Sequence, residues 1–348
     1  MDGDPPPRHR LRIPGGALAV ALLACLAGGC GGSAHQGSGQ SLTVYNGQYP
    51  QTTAALVSAF EKATGIGVKV RSNEEAPLAD EIVLEGSPSR ADVIYTENSP
   101  VLEYLQGKGL LAHLDASTLA RTPAAYDSPA GDWVGVSARA SVVIYNPKLI
   151  APSEVPTTAA ELADPRYRGK LALAPAEPDF QPIVTSMDRR HGKTATLKWL
   201  EGIKANSGNH IYSDNEAVVS EINRGTAAVG IVEQFYWYRL RAELGAAGMH
   251  TKISFLAPRD PGYVVGVSGA AVLRNSRHQA EAQKFVAFLV SPKGQAIIGR
   301  SIEDEYLFHG PASPGELPFD RLQPNSITIA QLGDGAAATA LLRKAGLL

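Results

Sequence analysis

Thiol chemistry is almost absent from this chain of 348 residues, which has two cysteines, Cys25 and Cys30. Because both lie near the N-terminus, no cysteine pair remains further along for a disulfide, a thiolate zinc site or an iron–sulfur cluster. The eight histidines show no metal-ligand spacing such as HExxH. The chemistry of the main part of the chain therefore depends on oxygen and nitrogen side chains.

A strong charge of either sign is also missing, since the formal net charge is −2. Without a basic face, the chain has no basis for binding nucleic acid. It contains neither a GxSxG nucleophile turn nor a phosphate-binding GxxxxGK[ST] motif. We therefore expect a protein that is not an enzyme, and catalysis ranks last among the functions considered.

The N-terminus resembles a secretory signal. Three arginines precede the apolar run "ALAVALLACLAGGC", which ends in small residues and is too short for a permanent membrane span. The cysteine after "LAGG" resembles a bacterial lipobox, which predicts a signal peptide over 1–29, lipidation of Cys30 and a flexible tether over 30–40. The alternative is ordinary cleavage with Cys30 merely nearby. Either outcome predicts an extracytoplasmic protein.

From residue 41 onwards, apolar strand patterns alternate with helical patterns. This alternation predicts an α/β fold with a mostly parallel sheet. Two such blocks, joined by extended segments, predict two lobes with a cleft between them. The second block includes "NHIYS", which we expect to be a strand. Ligands of such folds bind near the carboxyl ends of strands, and three strand ends carry suggestive residues: "NGQYP", "YTEN" and "EQFYWY".

Those strand ends supply Tyr49, Glu97 and Tyr236. Taken singly, each has an ordinary structural explanation, as a half-buried aromatic residue or a helix-capping carboxylate. Taken together, two phenols and a carboxylate are hard oxygen donors. A phenol has a free pKa of about 10, but a highly charged cation can displace its proton. Such a set suits Fe³⁺, provided that the three side chains converge.

Several phrases of the sequence resemble the bacterial ferric-iron-binding proteins of ABC transporters, also called bacterial transferrins: "TVYNGQ", "ADVIYTEN", "FYWYRL", "SGAAVL" and "AEAQKFVAFLVSPKGQ". They occur in the family's order and cover the chain from Leu42 to its end. The resemblance implies the type II periplasmic-binding-protein fold, with two lobes, a hinge and an interlobe cleft. It implies an N-terminal lobe of 41–141 and 266–316, and a C-terminal lobe of 142–265 and 317–348.

The resemblance also implies a metal site, which this sequence matches in part. Tyr49 stands where the family usually has a histidine ligand, and Glu97 matches the family's glutamate. The family's tyrosine pair becomes Phe235 and Tyr236, so that one phenolate is missing.

Four further residues match positions near the family's bound anion or its cleft. Asn98 and Asn215 match asparagines that contact the anion, whereas Glu233 replaces another asparagine. Arg139 stands where the family has an arginine near the cleft. It is either a latch to a carboxylate across the lobes or an exposed surface residue.

The largest departure from the family is at "APAEPDFQ". Relatives have a Ser/Gly-rich loop there, whose backbone N–H groups bind phosphate or carbonate at a helix start. Here Pro178 lacks an N–H group, and Glu177 and Asp179 repel an added anion. We therefore expect the external anion to be absent or bound differently, with Glu177, Asp179 or Glu233 supplying its charge. The alternative is that Glu177 and Asp179 are solvated acids at a helix start.

The resemblance implies a monomeric, lipid-anchored solute-binding protein that delivers Fe³⁺ to an ABC permease and its ATPase. The alternative is the same scaffold binding another metal or a small organic cation, with Phe235, Tyr236 and Trp237 as part of an aromatic wall.

Overall fold

The computed structural model describes residues 41–301, 305–310 and 316–348. The predicted signal peptide, the lipidation site at Cys30 and the tether lie outside the described residues. No helix within the described ranges is long and apolar enough to cross a membrane.

Strands and helices alternate along most of the described chain, as the sequence predicts. The strands are Ser41–Asn46 (β1), Gly67–Ser72 (β2), Val93–Thr96 (β3), Val134–Tyr145 (β4), Leu171–Ala172 (β5), Val229–Glu233 (β6), Lys252–Phe255 (β7) and Val265–Val272 (β8). The α-helices are Pro50–Thr64 (α1), Glu75–Glu85 (α2), Ser99–Gly107 (α3), Ala116–Leu119 (α4), Phe180–His191 (α5), Lys193–Ser207 (α6), Asn215–Arg224 (α7), Gln234–Gly248 (α8), Gln279–Leu289 (α9), Pro292–Ile298 (α10), Ile329–Leu332 (α11) and Ala336–Ala345 (α12).

Local sequence signals set the ends of several helices. Helix α1 begins at Pro50, whose missing N–H group costs nothing in the first turn, and it ends at Gly65 with φ 73°. Helix α7 begins after Asp214, whose carboxylate accepts a hydrogen bond from the Ala217 N–H group at 2.7 Å. These signals place both helices directly after strands or loops that carry candidate site residues.

The eight strands form one mixed sheet in the order β2-β1-β3-β8-β4-β6-β5, with β7 also pairing with β4. Strand β1 is parallel to β2 and β3, and β5 is parallel to β6. The other four pairs are antiparallel. The expectation of a mostly parallel sheet was therefore wrong. Strand β8 inserts between β3 and β4 and runs antiparallel to both, which the alternation of helices and strands does not reveal.

Strand β4 connects the two ends of the sheet. All twelve of its residues are buried. Its first part, Val134–Ala140, pairs with β8, whereas Ser141–Tyr145 pairs with β6 and β7. This change of partner falls at Ser141, where the first segment of the predicted N-terminal lobe ends. A single buried strand thus carries side chains to both halves of the α/β structure.

The segment "NHIYS" was wrongly predicted as a strand. Only Ile211 pairs there, in an isolated parallel bridge to Leu173. The segment lies between a turn at Gly208, with φ 54°, and the N-cap of α7 at Asp214. The short strand β7 and the C-terminal helix α12 were not predicted.

Candidate metal centre

The three strand ends selected from the sequence meet at one place. Tyr49 follows β1, Glu97 follows β3, and Tyr236 lies in the first turn of α8, directly after β6. The Tyr49 hydroxyl lies close enough to the Glu97 carboxylate for the two groups to interact electrostatically. The Tyr49 ring packs edge-on against Phe235 with centroids 6.1 Å apart, and Phe235 lies 3.9 Å from the Tyr236 ring. The topology of the sheet therefore brings these residues together.

The loop "NGQYP" is held by its own side chains. Asn46 donates from Nδ2 to the Gln48 carbonyl oxygen at 2.6 Å, and the Tyr49 N–H group donates to Gln48 Oε1 at 2.8 Å. Gln48 Nε2 in turn donates to Ser268 Oγ on β8 at 3.1 Å. Because Pro50 then starts α1, Tyr49 has little freedom at the end of the loop. These contacts therefore hold Tyr49 at the carboxyl end of β1.

Glu75 holds the loop that carries Glu97 and Asn98. Its Oε2 atom accepts hydrogen bonds from the N–H groups of both residues, at 3.1 and 3.0 Å. Burial, with a further contribution from the nearby Glu97, raises the pKa of Glu75 to about 8. Sequence analysis missed Glu75, which is the first residue of helix α2.

Arg139, on β4, lies at the centre of the cluster and is fully buried. Its Nη1 donates to Glu97 Oε1 at 2.6 Å, and Nη2 donates to Asn98 Oδ1 at 3.4 Å. Its Nε lies 3.3 Å from Glu233 Oε2 and 3.7 Å from Glu305 Oε1. The alternative of an exposed arginine was therefore wrong. Burial opposes the charge, but the carboxylates raise the pKa of Arg139 well above its usual value.

Asp179 and Tyr236 form the other side of the cluster. The Tyr236 hydroxyl and the Asp179 carboxylate lie close enough to interact electrostatically. Asn215 Nδ2 donates to Asp179 Oδ2 at 3.0 Å, whereas Asp179 Oδ1 is buried without a hydrogen-bond partner. Asp179 occupies the N-cap position of α5 without a capping hydrogen bond from its side chain. It is 6% exposed, so the alternative of a solvated acid was wrong for this residue. Glu177 is half-buried beside it.

Burial raises the pKa of several acidic groups in the cluster, which contains a single buried arginine. Burial raises the pKa of Glu97 to about 7, although Arg139 opposes the shift. Burial, together with Asp179, raises the pKa of Glu177 to about 8. The pKa of Tyr236 is raised well above 10 by burial, and Asp179, Tyr49, Glu97 and Glu177 add to the shift. All five predicted ligands therefore interact, and their acidic groups outnumber the single buried cation.

Two further features bear on what this cluster could bind. Among the described residues, no group of three or more His, Cys, Asp and Glu side chains is placed to hold a metal ion. A metal at this site would therefore need the phenol oxygens as well as carboxylates. Phe235, in place of the family's second tyrosine, is fully buried and lies 5.3 Å below the Arg139 guanidinium.

Arg239, on α8, is a site residue that sequence analysis missed. Its Nη1 donates to the Tyr49 hydroxyl oxygen at 2.9 Å and contacts Glu216 Oε1 at 3.0 Å. Its guanidinium also lies 4.8 Å from the centre of the Tyr49 ring. No sequence signal indicates this contact, because Arg239 lies 190 residues after Tyr49.

Comparison with known proteins identifies the class of protein that carries this site. Residues 89–306 match the family model described as bacterial extracellular solute-binding protein. The chain belongs to this family. Its relatives include the Fe(3+)-binding periplasmic protein of Serratia marcescens, which is 34% identical over 94% of this chain and 97% of its own. The major ferric iron-binding protein of Neisseria meningitidis serogroup B is also 34% identical, over 88% and 93%.

Solved structures agree with this assignment. Iron-bound HitA from Pseudomonas aeruginosa is 38% identical and superimposes with a TM-score of 0.83, over 88% of this chain and 99% of that one. Trichodesmium IdiA (FutA), solved with iron and citrate, is 28% identical with a TM-score of 0.79. The fold is therefore the type II periplasmic-binding-protein fold, as predicted. These relatives are binding proteins rather than enzymes, which agrees with the prediction for this family member.

Proposed function

We propose that this protein binds ferric iron between the two sides of the cluster, through oxygens of Tyr49, Glu97, Tyr236, Asp179 and Glu177. The observation that carries the proposal is the surplus of acidic groups around Arg139. Three carboxylates lie within 4 Å of that one guanidinium: Glu97, Glu233 and Glu305. Two phenols and two further carboxylates lie close by. The names of the relatives, which specify ferric iron, support this choice of metal.

The high charge of Fe³⁺ explains how it can bind to groups that are protonated in its absence. A buried carboxyl or phenol with a raised pKa holds its proton until a cation replaces it. Fe³⁺ favours anionic oxygen donors and would release these protons on binding. Asp179 Oδ1 is buried without a hydrogen-bond partner at the start of α5, so this oxygen is available to coordinate Fe³⁺. Asn215 orients this carboxylate, and we assign Asn98, Glu233 and Arg139 to the surroundings of the ion.

Asp179 also replaces the external anion in this proposal. The N-terminus of a helix attracts negative charge, because its first N–H groups lack partners within the helix. At the start of α5 this negative charge comes from Asp179. An added phosphate or carbonate would compete with Asp179 and with Glu177. We therefore propose that iron binding needs no added anion.

The family assignment extends the proposal to transport. We propose an extracytoplasmic carrier, lipidated at Cys30, that acts as a monomer and delivers iron to an ABC permease driven by its ATPase. Binding would close a lobe of 41–141 and 266–316 onto a lobe of 142–265 and 317–348, and the permease would recognise the closed form. Protonation of the ligands, or reduction to Fe²⁺, would favour release.

A second candidate ligand is another metal or a small organic cation. The contacts of the aromatic residues favour it, because Arg139 lies over Phe235 at 5.3 Å and Arg239 lies over Tyr49 at 4.8 Å. These rings thus already face cationic groups, which is how proteins recognise organic cations.

A spectroscopic titration tests the ferric proposal. Phenolate bound to Fe³⁺ gives a visible charge-transfer band, so metal-free full-length protein should develop one that saturates near one iron per chain. Tyr49→Phe and Tyr236→Phe should each weaken the band, whereas Tyr104→Phe, a tyrosine on α3 outside the cluster, should not. Absence of a band at any iron concentration would exclude ferric binding through these phenols. Thermal stabilisation by divalent metals or by tetramethylammonium would then favour the second candidate.

A further inference from the structure

A separate cavity lies at the far end of α5 from Asp179. It is an open surface pocket with a volume of about 500 Å³, and the exposed residues Arg189, Arg190 and Arg259 line it. We call it the arginine cavity. Ser186, the wall residue on α5 that is nearest to Asp179 in sequence, follows it by seven residues, which at 1.5 Å per residue corresponds to about 10 Å along the helix. The cavity is therefore distinct from the cluster around Arg139.

The three arginines bring unbalanced positive charge to this cavity. Within the described part of the chain, none of them forms an ion pair with a carboxylate within 4.0 Å. Arg189 and Arg190 belong to the last turn of α5, where positive charge also complements the helix dipole. The dipole does not explain Arg259, which comes from the loop after β7 and converges on the same space.

Arg259 is held in an unfavourable backbone conformation. Its φ is 63°, and it is the one non-glycine residue with positive φ among the described residues. This left-handed conformation is costly for a side chain with a Cβ atom, and such residues cluster at functional sites. The Arg259 N–H group donates to the Gln323 carbonyl oxygen at 3.0 Å. The neighbouring Asp260 carboxylate accepts from the N–H groups of Ala159 and Gly262 rather than pairing with an arginine.

The rest of the wall supplies neutral polar groups in fixed positions. Ser186, Asn325 and Ser326 line the cavity beside the arginines. Asn325 Nδ2 donates to Ser186 Oγ at 3.0 Å and to the Pro261 carbonyl oxygen at 2.9 Å. This network joins α5 to the loop after β7 and to the segment before α11. The shape of the wall is therefore set by hydrogen bonds that do not use the guanidinium groups.

We propose that the arginine cavity binds a small organic or inorganic anion that carries two or more carboxylate or phosphate groups. Guanidinium groups form paired hydrogen bonds with both kinds of oxyanion. The volume lies within the range of about 300–1,000 Å³ that is usual for small-molecule sites. This proposal is independent of the metal centre, because none of the arginines belongs to the cluster around Arg139.

Calorimetric titration of metal-free full-length protein with citrate and with pyrophosphate tests the proposal. We expect one of the two to bind with one site per chain, and the tighter probe tells whether the cavity prefers carboxylate or phosphate. Arg259→Gln and Arg189→Gln should each weaken binding by about tenfold, because each removes charge-assisted hydrogen bonds. Arg277→Gln, which changes an exposed arginine outside the cavity, should bind like the wild type.

Two outcomes would overturn the proposal. One is no heat of binding with either probe at millimolar concentration. The other is binding that Arg259→Gln and Arg189→Gln leave unchanged, since the anion would then bind elsewhere, for example at Arg139. Circular dichroism of each variant separates lost binding from lost folding. A titration with ferric iron on the same variants should give wild-type affinity, which keeps this result separate from that for the metal centre.

Discussion

At the scale of single residues, the cluster depends on one buried guanidinium among several carboxyl groups. A buried charge is tolerated when it is paired and hydrogen-bonded, but removing one partner leaves the other uncompensated. Arg139 is this partner for Glu97, Glu233 and Glu305 at once. The stability of the metal-free protein should therefore depend strongly on Arg139 and on pH.

Arg139→Gln should lower the free energy of unfolding of the metal-free protein by about 3 kcal/mol or more at about pH 8, above the pKa of about 7 of its partner Glu97. The loss should shrink at about pH 5, because a neutral Glu97 needs no cation. Urea denaturation at the two pH values measures both effects. The control is Arg277→Gln, at an exposed position, which should change little. A loss that is equal at both pH values would contradict the electrostatic explanation.

Glu75 gives a second pH-dependent prediction. Its pKa is raised from 4.5 to about 8 in the folded protein, mainly by burial. The folded state therefore binds more protons than the unfolded state between these values. The stability that Glu75 contributes is fully present below pH 4.5 and is lost as the pH rises to about 8. One such group changes the free energy of unfolding by up to about 1.4 kcal/mol per pH unit.

Glu75→Gln should therefore flatten the decline in stability of the metal-free protein across this pH window. The amide oxygen of glutamine can still accept from the N–H groups of Glu97 and Asn98, so the loop should keep its place. Thermal denaturation over a pH series measures the slope. Glu74→Gln, at the exposed neighbouring position, should keep the wild-type slope. An unchanged slope in Glu75→Gln would show that another group titrates.

At the scale of elements, the candidate site is made of strand ends and of one helix start. The sequence alone places Tyr49, Glu97 and Tyr236 correctly at strand ends, because hydrophobic alternation marks where β1, β3 and β6 stop. It does not place Arg239 or Glu305 in the cluster. Arg239 meets Tyr49 across 190 residues and Glu305 meets Gln48 across 257, so only the packed sheet brings them together. For the same reason, the sequence did not reveal that β8 lies between β3 and β4 and runs antiparallel to both.

At the scale of elements, the prediction concerns the N-terminus of α5 and the dependence of iron binding on phosphate. If Asp179 supplies the negative charge at this helix end, iron binding by the wild type should be the same with and without phosphate. Asp179→Ala should remove this carboxylate from the N-terminus of α5 and release Asn215 Nδ2. The affinity of this variant for iron should then rise by about tenfold on addition of phosphate.

Competition with a chelator of known affinity measures this dependence on phosphate. Asp188→Ala removes a carboxylate from the other end of α5 and should remain independent of phosphate. A wild type that itself requires phosphate would show that Asp179 does not replace the anion.

At the scale of the whole molecule, arginines join the two sides of the cluster. Arg239 on α8 holds Tyr49 after β1, and Arg139 on β4 lies between Glu97 after β3 and Glu233 at the end of β6. In the lobe closure that we propose, these contacts would take the place of a bound cation. Closure in the metal-free protein should therefore depend on Arg239, whereas closure in the iron-loaded protein should not.

Small-angle X-ray scattering measures this difference. A compact chain of this length has a radius of gyration of about 20 Å. Metal-free Arg239→Gln should exceed the wild-type value, because the lobes lose a contact that holds them together. Iron should then return the variant to the wild-type value, since the metal bridges the same two sides. Arg241→Gln, on the same helix but over the Trp237 ring, should match the wild type throughout. Equal radii for metal-free Arg239→Gln and wild type would show that this arginine does not control closure.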